Sequence, residues 1–131
     1  MKKDIEIPVV KDVYVAVVHE WNAEFLSQDW NAYLINDKEI PIEGVLVVTK
    51  GYQGDRKTSL LRHGLGTVAA KSAAKIEVIQ EELLAFTNEF TVTFFAEGKL
   101  YDKKYIFRKH SINENAMQEL PVLDQRGVLV K

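Results

Sequence analysis

Along the first half of the chain, apolar and polar residues change places one by one, as they do on pleated strands. "VYVAVV" (Val13 to Val18) is apolar on both of its faces and rich in β-branched residues, which predicts a central strand buried from two sides. "DWNAYLIN" puts Trp30, Ala32 and Leu34 on one face and Asn31, Tyr33 and Ile35 on the other. "NDKE" supplies turn chemistry, because Asn36 and Asp37 tolerate left-handed backbone and bond their own main chain. Pro41 cannot donate to a ladder and suits the start of a strand or an edge. "VLVVTK" (Val45 to Lys50) reads as the next strand, with "KTSLLRH" (Lys57 to His63) returning beside it.

Later, "NEFTVTFFAEGKLYDKKYIFRK" predicts a hairpin. Phe90, Val92 and Phe94 share a face opposite Glu89, Thr91, Thr93 and Phe95, and after Gly98 a second alternation runs through Tyr101, Lys103, Tyr105 and Phe107. Between the two halves, Thr67 to Phe86 is ambiguous. Its Ala, Glu and Leu content and the spacing Ile76, Ile79, Leu83, Phe86 suit a helix, whereas "KIEV" alternates like a strand. Ser111 and Glu114 form a capping-box pattern that predicts a turn or two of helix before Pro121, and "GVLVK" reads as a final strand.

Short strands with frequent turn signals predict an all-β fold: a single antiparallel β-sandwich domain of about seven strands, immunoglobulin-like in general shape, over residues 1–131. Its core draws on Val13, Val15, Val17, Trp30, Leu34, Val45, Val47, Phe90, Val92, Phe94, Tyr105 and Phe107. The alternative is α+β, with residues 67–86 forming one helix packed across a sheet. "AAKIEVIQ" read as a strand, followed by a helical turn at "EELLAF", favours the sandwich.

Composition narrows function mainly by exclusion. At 131 residues there is room for one core, and 47% apolar with 27% charged residues is ordinary for a globular domain. No cysteine is present, which removes disulfides, thiol nucleophiles and Cys-based metal sites. "MKKDIEIPVVKD" lacks the apolar run of a signal peptide and nothing has the length of a membrane span, so the expectation is a cytoplasmic protein without membrane partners.

"GYQGDRKT" (Gly51 to Thr58) has the length of a phosphate-binding loop. Arg56, however, replaces the second glycine, whose missing side chain lets backbone amides approach the phosphates. No helix follows to face the anion with its dipole, so the stretch reads as a basic hairpin turn. The histidines His19, His63 and His110 show no metal-ligand spacing, and Ser59 with His63 lacks a nucleophile elbow. The expectation is therefore no cofactor and no metal, and the reading leans away from enzymatic activity without excluding it, with a small hydrolase the weakest alternative.

The net charge of −2 conceals blocks of opposite sign. Lys50 to Lys75 carries six bases against one acid, Glu77 to Glu97 carries five acids, and Lys99 to Lys109 carries five bases against one acid. If the basic segments share a face, Arg56, Lys57, Arg62, Lys103 and Lys104, with Tyr52 and Tyr101, are the candidate binding residues for an acidic protein or RNA. An interaction module is the leading expectation, as a monomer or as a homodimer paired through edge strands near Pro41 or the C-terminal "VLVK".

Through "WNAYLINDKEIPIEGVLVVTKGY", "KTSLLRH" and "YDKKYIF", the chain resembles a small family of uncharacterised bacterial proteins of about this length, some labelled as phenylalanyl-tRNA synthetase related. The resemblance runs over most of the chain and brings no activity or site residue with it. What the label implies is an RNA- or tRNA-associated accessory protein.

Overall fold

The computed structural model describes residues 8–131; residues 1–7 lie outside them. The described chain runs through β1 (Val13–Asn22), β2 (Ser27–Asn36), β3 (Ile42–Gln53), β4 (Arg56–Lys57), β5 (Leu61–Val68) and β6 (Ser72–Ile79). A 3₁₀ turn (Glu81–Ala85) leads to β7 (Thr87–Ala96) and β8 (Lys99–Phe107). A second 3₁₀ turn (Glu114–Ala116) precedes β9 (Gln118–Glu119) and β10 (Arg126–Val130). Two antiparallel sheets result. The first has the order β6-β2-β1-β10-β9; the second has β4-β3-β7-β8, with β5 also paired to β3. This is the expected all-β sandwich, with ten described strands, two of them (β4 and β9) two-residue pieces, where about seven were foreseen. No described helix is long and apolar enough to cross a membrane.

The twelve residues expected in the core are all buried and belong to one cluster between the sheets. Strand parity explains this. Val13, Val15 and Val17 of β1 and Trp30, Ala32 and Leu34 of β2 meet Val45, Val47, Phe90, Val92 and Phe94 from the opposite sheet. Phe90 and Phe107 pack edge to face at 5.6 Å, and the Tyr105 hydroxyl crosses the core to donate to the Val13 carbonyl. Burial accordingly pushes the Tyr105 hydroxyl's pKa up. The β7–β8 hairpin closes through Glu97 and Gly98, both at positive φ, with Ala96 opposite Lys99.

The helix over residues 67–86 is not formed. Ser72–Ile79 is a strand on β2, and only Glu81–Ala85 turns, as 3₁₀. The helix-like spacing has a specific source. The β2–β6 ladder jumps from Ala32↔Glu77 to Tyr33↔Lys75, leaving Ile76 as the extra residue of a β-bulge. The bulge lets Ile76 and Ile79, three apart, both reach the core.

The tail differs in its cap. Asn113, not Ser111, precedes the second 3₁₀ turn and accepts from the Ala116 amide at 3.1 Å, while Glu114 lies 3.2 Å from Nδ1 of His19. Pro41 marks the start of β3 and no free edge, because β3 is paired on one side to β5 and on the other to β7. In the C-terminal strand Arg126 and Gly127 pair with β9, whereas Val128, Leu129 and Val130 pair with β1 on one side.

Candidate functional site

Gly51–Thr58 closes as a tight hairpin. Gln53 opposes Arg56 and Tyr52 opposes Lys57, with Gly54 (φ 59) and Asp55 in the two-residue turn. Thr58 then ties the strands together: its amide donates to the Gly51 carbonyl at 2.9 Å, and its hydroxyl accepts from the Gly51 amide at 2.7 Å. Beyond Thr58 the chain leaves the ladder and rejoins it at Leu61, opposite Thr49. That departure opens a cleft of about 230 Å³ lined by Lys50, Gly51, Tyr52, Lys57, Thr58 and Leu60.

The cleft's lining combines Leu60 and Tyr52 with two lysines. Lys50 Nζ lies 3.5 Å from the nearly buried carboxylate of Glu89, which Lys104 also approaches at 3.7 Å. Lys57 is exposed and has no ion pair among the described residues. Such a lining suits a segment carrying both an acid and a large apolar side chain.

The register sorts the seven candidate residues into two groups. Arg62, Val48, Thr91 and Lys104 make one row across four strands on the outer face of the second sheet. Tyr52 and Lys57 share that face, so Tyr52, Lys57, Arg62 and Lys104 are brought together. Arg56, Tyr101 and Lys103 are not. The Arg56 guanidinium sits 5.1 Å above the Phe86 ring, Lys103 lies 5.0 Å above Tyr105, and Tyr101 stacks on Phe94 at 5.1 Å. These three are engaged on the inward side, at the rims of the sandwich.

Ser59 and His63 lie beside a second hollow of about 140 Å³, which Ser59, Thr49 and Glu77 help to line. His63 Nε2 is 2.7 Å from Glu77 Oε1, and the Thr49 hydroxyl donates to that same oxygen at 2.8 Å. Because Glu77 belongs to β6 and the other two to β5 and β3, the cluster pins one sheet to the other. Among the described residues no three His, Asp or Glu side chains are grouped to hold a metal ion.

One feature escaped the sequence patterns. The β1–β2 hairpin ends in a tip where Trp21, Phe25 and Leu26 are 57%, 71% and 75% exposed. Asn22 builds the tip: its Oδ1 accepts from the amides of Glu24 (3.0 Å) and Phe25 (3.2 Å), and its Nδ2 donates to Asp29 at 2.9 Å. Leu26 holds φ 50, a left-handed conformation that costs a branched residue about 1–2 kcal/mol. The available signal was "WNAEFL", an apolar run where a turn is ordinarily polar.

Behind the tip, Glu20 accepts from Asn31 and from the Tyr33 hydroxyl, both at 2.7 Å. Burial alone would raise the Glu20 carboxyl, but hydrogen bonds from Tyr33, Asn31 and Gln125 outweigh it and hold the group below the usual carboxylate range. Burial, then the bond to Glu20, pushes the Tyr33 hydroxyl up to about 12.

Comparison of the chain with family models, with curated proteins and with solved structures finds no match.

Proposed function

We propose that this protein is a non-enzymatic interaction module that captures an acidic, apolar-bearing protein segment in the cleft between β4 and β5. The observation that carries this reading is the cleft's lining. Exposed Lys57 stands with Lys50 beside Leu60 and Tyr52, on a sheet face where Arg62 adds a further base and where Lys50 and Lys104 share the single carboxylate of Glu89. Complementary potential steers encounter and sets orientation, while an apolar anchor in a concave site supplies most of the affinity.

A photo-crosslinking residue at position 60, in the full chain in native lysate, tests this. The expected result is a protein adduct that disappears with Lys57→Glu and does not form from position 78, an exposed site on the other sheet. Equal adducts from both positions would refute the cleft. A hydrolytic activity abolished by His63→Ala would refute the non-enzymatic part.

The second reading is RNA or tRNA association. It is favoured by Arg62 and Lys104 lying in one row of the same face, and it is what the family label implies. It predicts tRNA retardation that weakens steeply with salt. The rings on that face, Tyr52 and Phe95, stand four residues to either side of the Val48–Thr91 row, whereas sheets that read single strands stack two or three bases on neighbouring rings.

A further inference from the structure

The tip and the cleft lie at the same end of the sandwich. Trp30 of β2 pairs with Ile79 at the end of β6, and the 3₁₀ turn Glu81–Ala85 follows at once. Gln53, beside the cleft, fastens to that turn through Nε2 to the Ala85 carbonyl at 3.2 Å. One structural cap therefore joins the base of the β1–β2 hairpin to the hairpin that forms the cleft.

Their chemistries are complementary. No lysine or arginine occurs from Val13 to Asn36, while Glu20, Glu24 and Asp29 fall around the tip. Glu20 and Asp29 are engaged within the hairpin, and Glu24 is exposed beside Phe25. The tip thus presents an aromatic ring next to a carboxylate that has no partner among the described residues. The cleft's lining joins Leu60 and Tyr52 to the ammonium of Lys57 and to that of Lys50, which is shared with Glu89.

We infer that the segment captured in the cleft is the β1–β2 tip of a second copy of this chain, the two copies exchanging tips reciprocally in a closed dimer. This rests on the reading of the cleft as a protein-binding site. Phe25 enters over Leu60 and Tyr52, and Glu24 meets Lys57. Because both surfaces share one end of the molecule, a two-fold axis through that end makes the same contact twice and closes the assembly. A Trp, Phe and Leu cluster displayed by a loop that Asn22 holds in a strained turn is preorganised for such a contact: little ordering entropy remains to be lost on docking. An anionic lipid surface or an RNA backbone would be repelled by the same acids.

Sedimentation of the full chain over a concentration series, at low and high salt, tests the inference. The wild type is expected to form a dimer, and no larger species, whose dissociation constant rises with salt. Phe25→Ser, which removes the tip's anchor, and Lys57→Glu, which reverses the cleft's charge, are each expected to weaken dimerisation by about 30-fold or more. Both sites are on the surface, and circular dichroism confirms the fold of each variant. Mixed at equal concentration, the two variants retain one sound contact: the tip of the Lys57→Glu chain in the cleft of the Phe25→Ser chain. The other contact carries both substitutions; because either one alone already breaks a contact that needs its apolar anchor and its charge pair together, the doubly altered contact loses little more, and the mixture is expected to associate more tightly than either variant alone. A wild type that stays monomeric, a mixture no tighter than its components, or open ladders of copies would overturn the reciprocal exchange. So would tip-dependent binding to phosphatidylcholine vesicles by a monomeric wild type. A monomeric wild type that still gives the Lys57-dependent adduct from position 60 would overturn self-capture alone and leave the cleft as a site for another protein.

Discussion

Asn36 is fully buried at the end of β2, and its replacement gives a sharp test of how the two sheets are joined. Its Nδ2 lies 3.0 Å from the carbonyl of Ile40, 3.2 Å from that of Val68 and 3.0 Å from that of Ala69, while Oδ1 accepts from the Lys38 amide at 3.0 Å. One side chain thus holds the turn after β2 and the connection from β5 to β6, which belong to different sheets. Two hydrogens on Nδ2 serve three carbonyls, so the group amounts to two full donated bonds and one accepted. At about 1 kcal/mol net each, Asn36→Ala forfeits about 3 kcal/mol.

The carbonyls of Ile40 and Ala69 recover part of that loss by taking up water, whereas the Val68 carbonyl is buried and does not. The expected destabilisation is therefore about 2–4 kcal/mol. Urea titration measures it, read as a lower midpoint at unchanged slope. Asp37→Ala is the control. Asp37 accepts from Lys71 at 2.9 Å in an exposed ion pair, and its loss should cost under about 1 kcal/mol. If Asn36→Ala costs no more than Asp37→Ala, the clamp between the sheets is not what holds this end of the sandwich together.

Two further outcomes follow from the same contacts. A Cβ on Gly127 would stand 2.7 Å from the Val17 carbonyl oxygen and 3.0 Å from Leu120, so Gly127→Ala should lower stability by about 1–3 kcal/mol; Gly64→Ala, with nothing within 4 Å, should leave the urea midpoint nearly in place. The Glu20–Tyr33 pair makes stability depend on pH at both extremes. A carboxyl held below its ordinary range contributes fully above that range and loses its contribution as the pH falls through the lowered value. A hydroxyl pushed up to about 12 contributes fully below the ordinary tyrosine value and loses its contribution as pH rises to about 12. Glu20→Gln should flatten the thermal-stability profile on both limbs, and an unchanged profile would show the pair to be inert.

The β7–β8 hairpin was legible outright, because two alternating runs and a two-residue Glu-Gly turn specify both the period and the register. The core followed from the same alternation, since a pleated strand sends successive side chains to opposite sides whatever it pairs with. The face shared by Tyr52, Lys57, Arg62 and Lys104 was legible only in part. Parity says which residues of one strand agree, but not which strands will lie side by side. Arg56, Tyr101 and Lys103 carry the same charges and rings in the sequence, and their parity turned them toward Phe86, Phe94 and Tyr105.

Elsewhere the local pattern pointed the wrong way or nowhere. The Ile76 bulge imitates a helix because inserting one residue into a ladder converts a spacing of two into three. The tip at Trp21, Phe25 and Leu26 reads as ordinary strand residues until the turn is seen to leave them exposed. The sequence by itself determined the strand class, the central residues of the core and the turns at Gly54 and Gly98, because each depends on backbone geometry over a few neighbouring residues. Only the tertiary structure decided that β10 lies on β1, that Asn36 joins the sheets, and that a cleft opens beside Thr58. Those arrangements come from contacts between segments far apart in the chain, and the whole molecule's packing selects them.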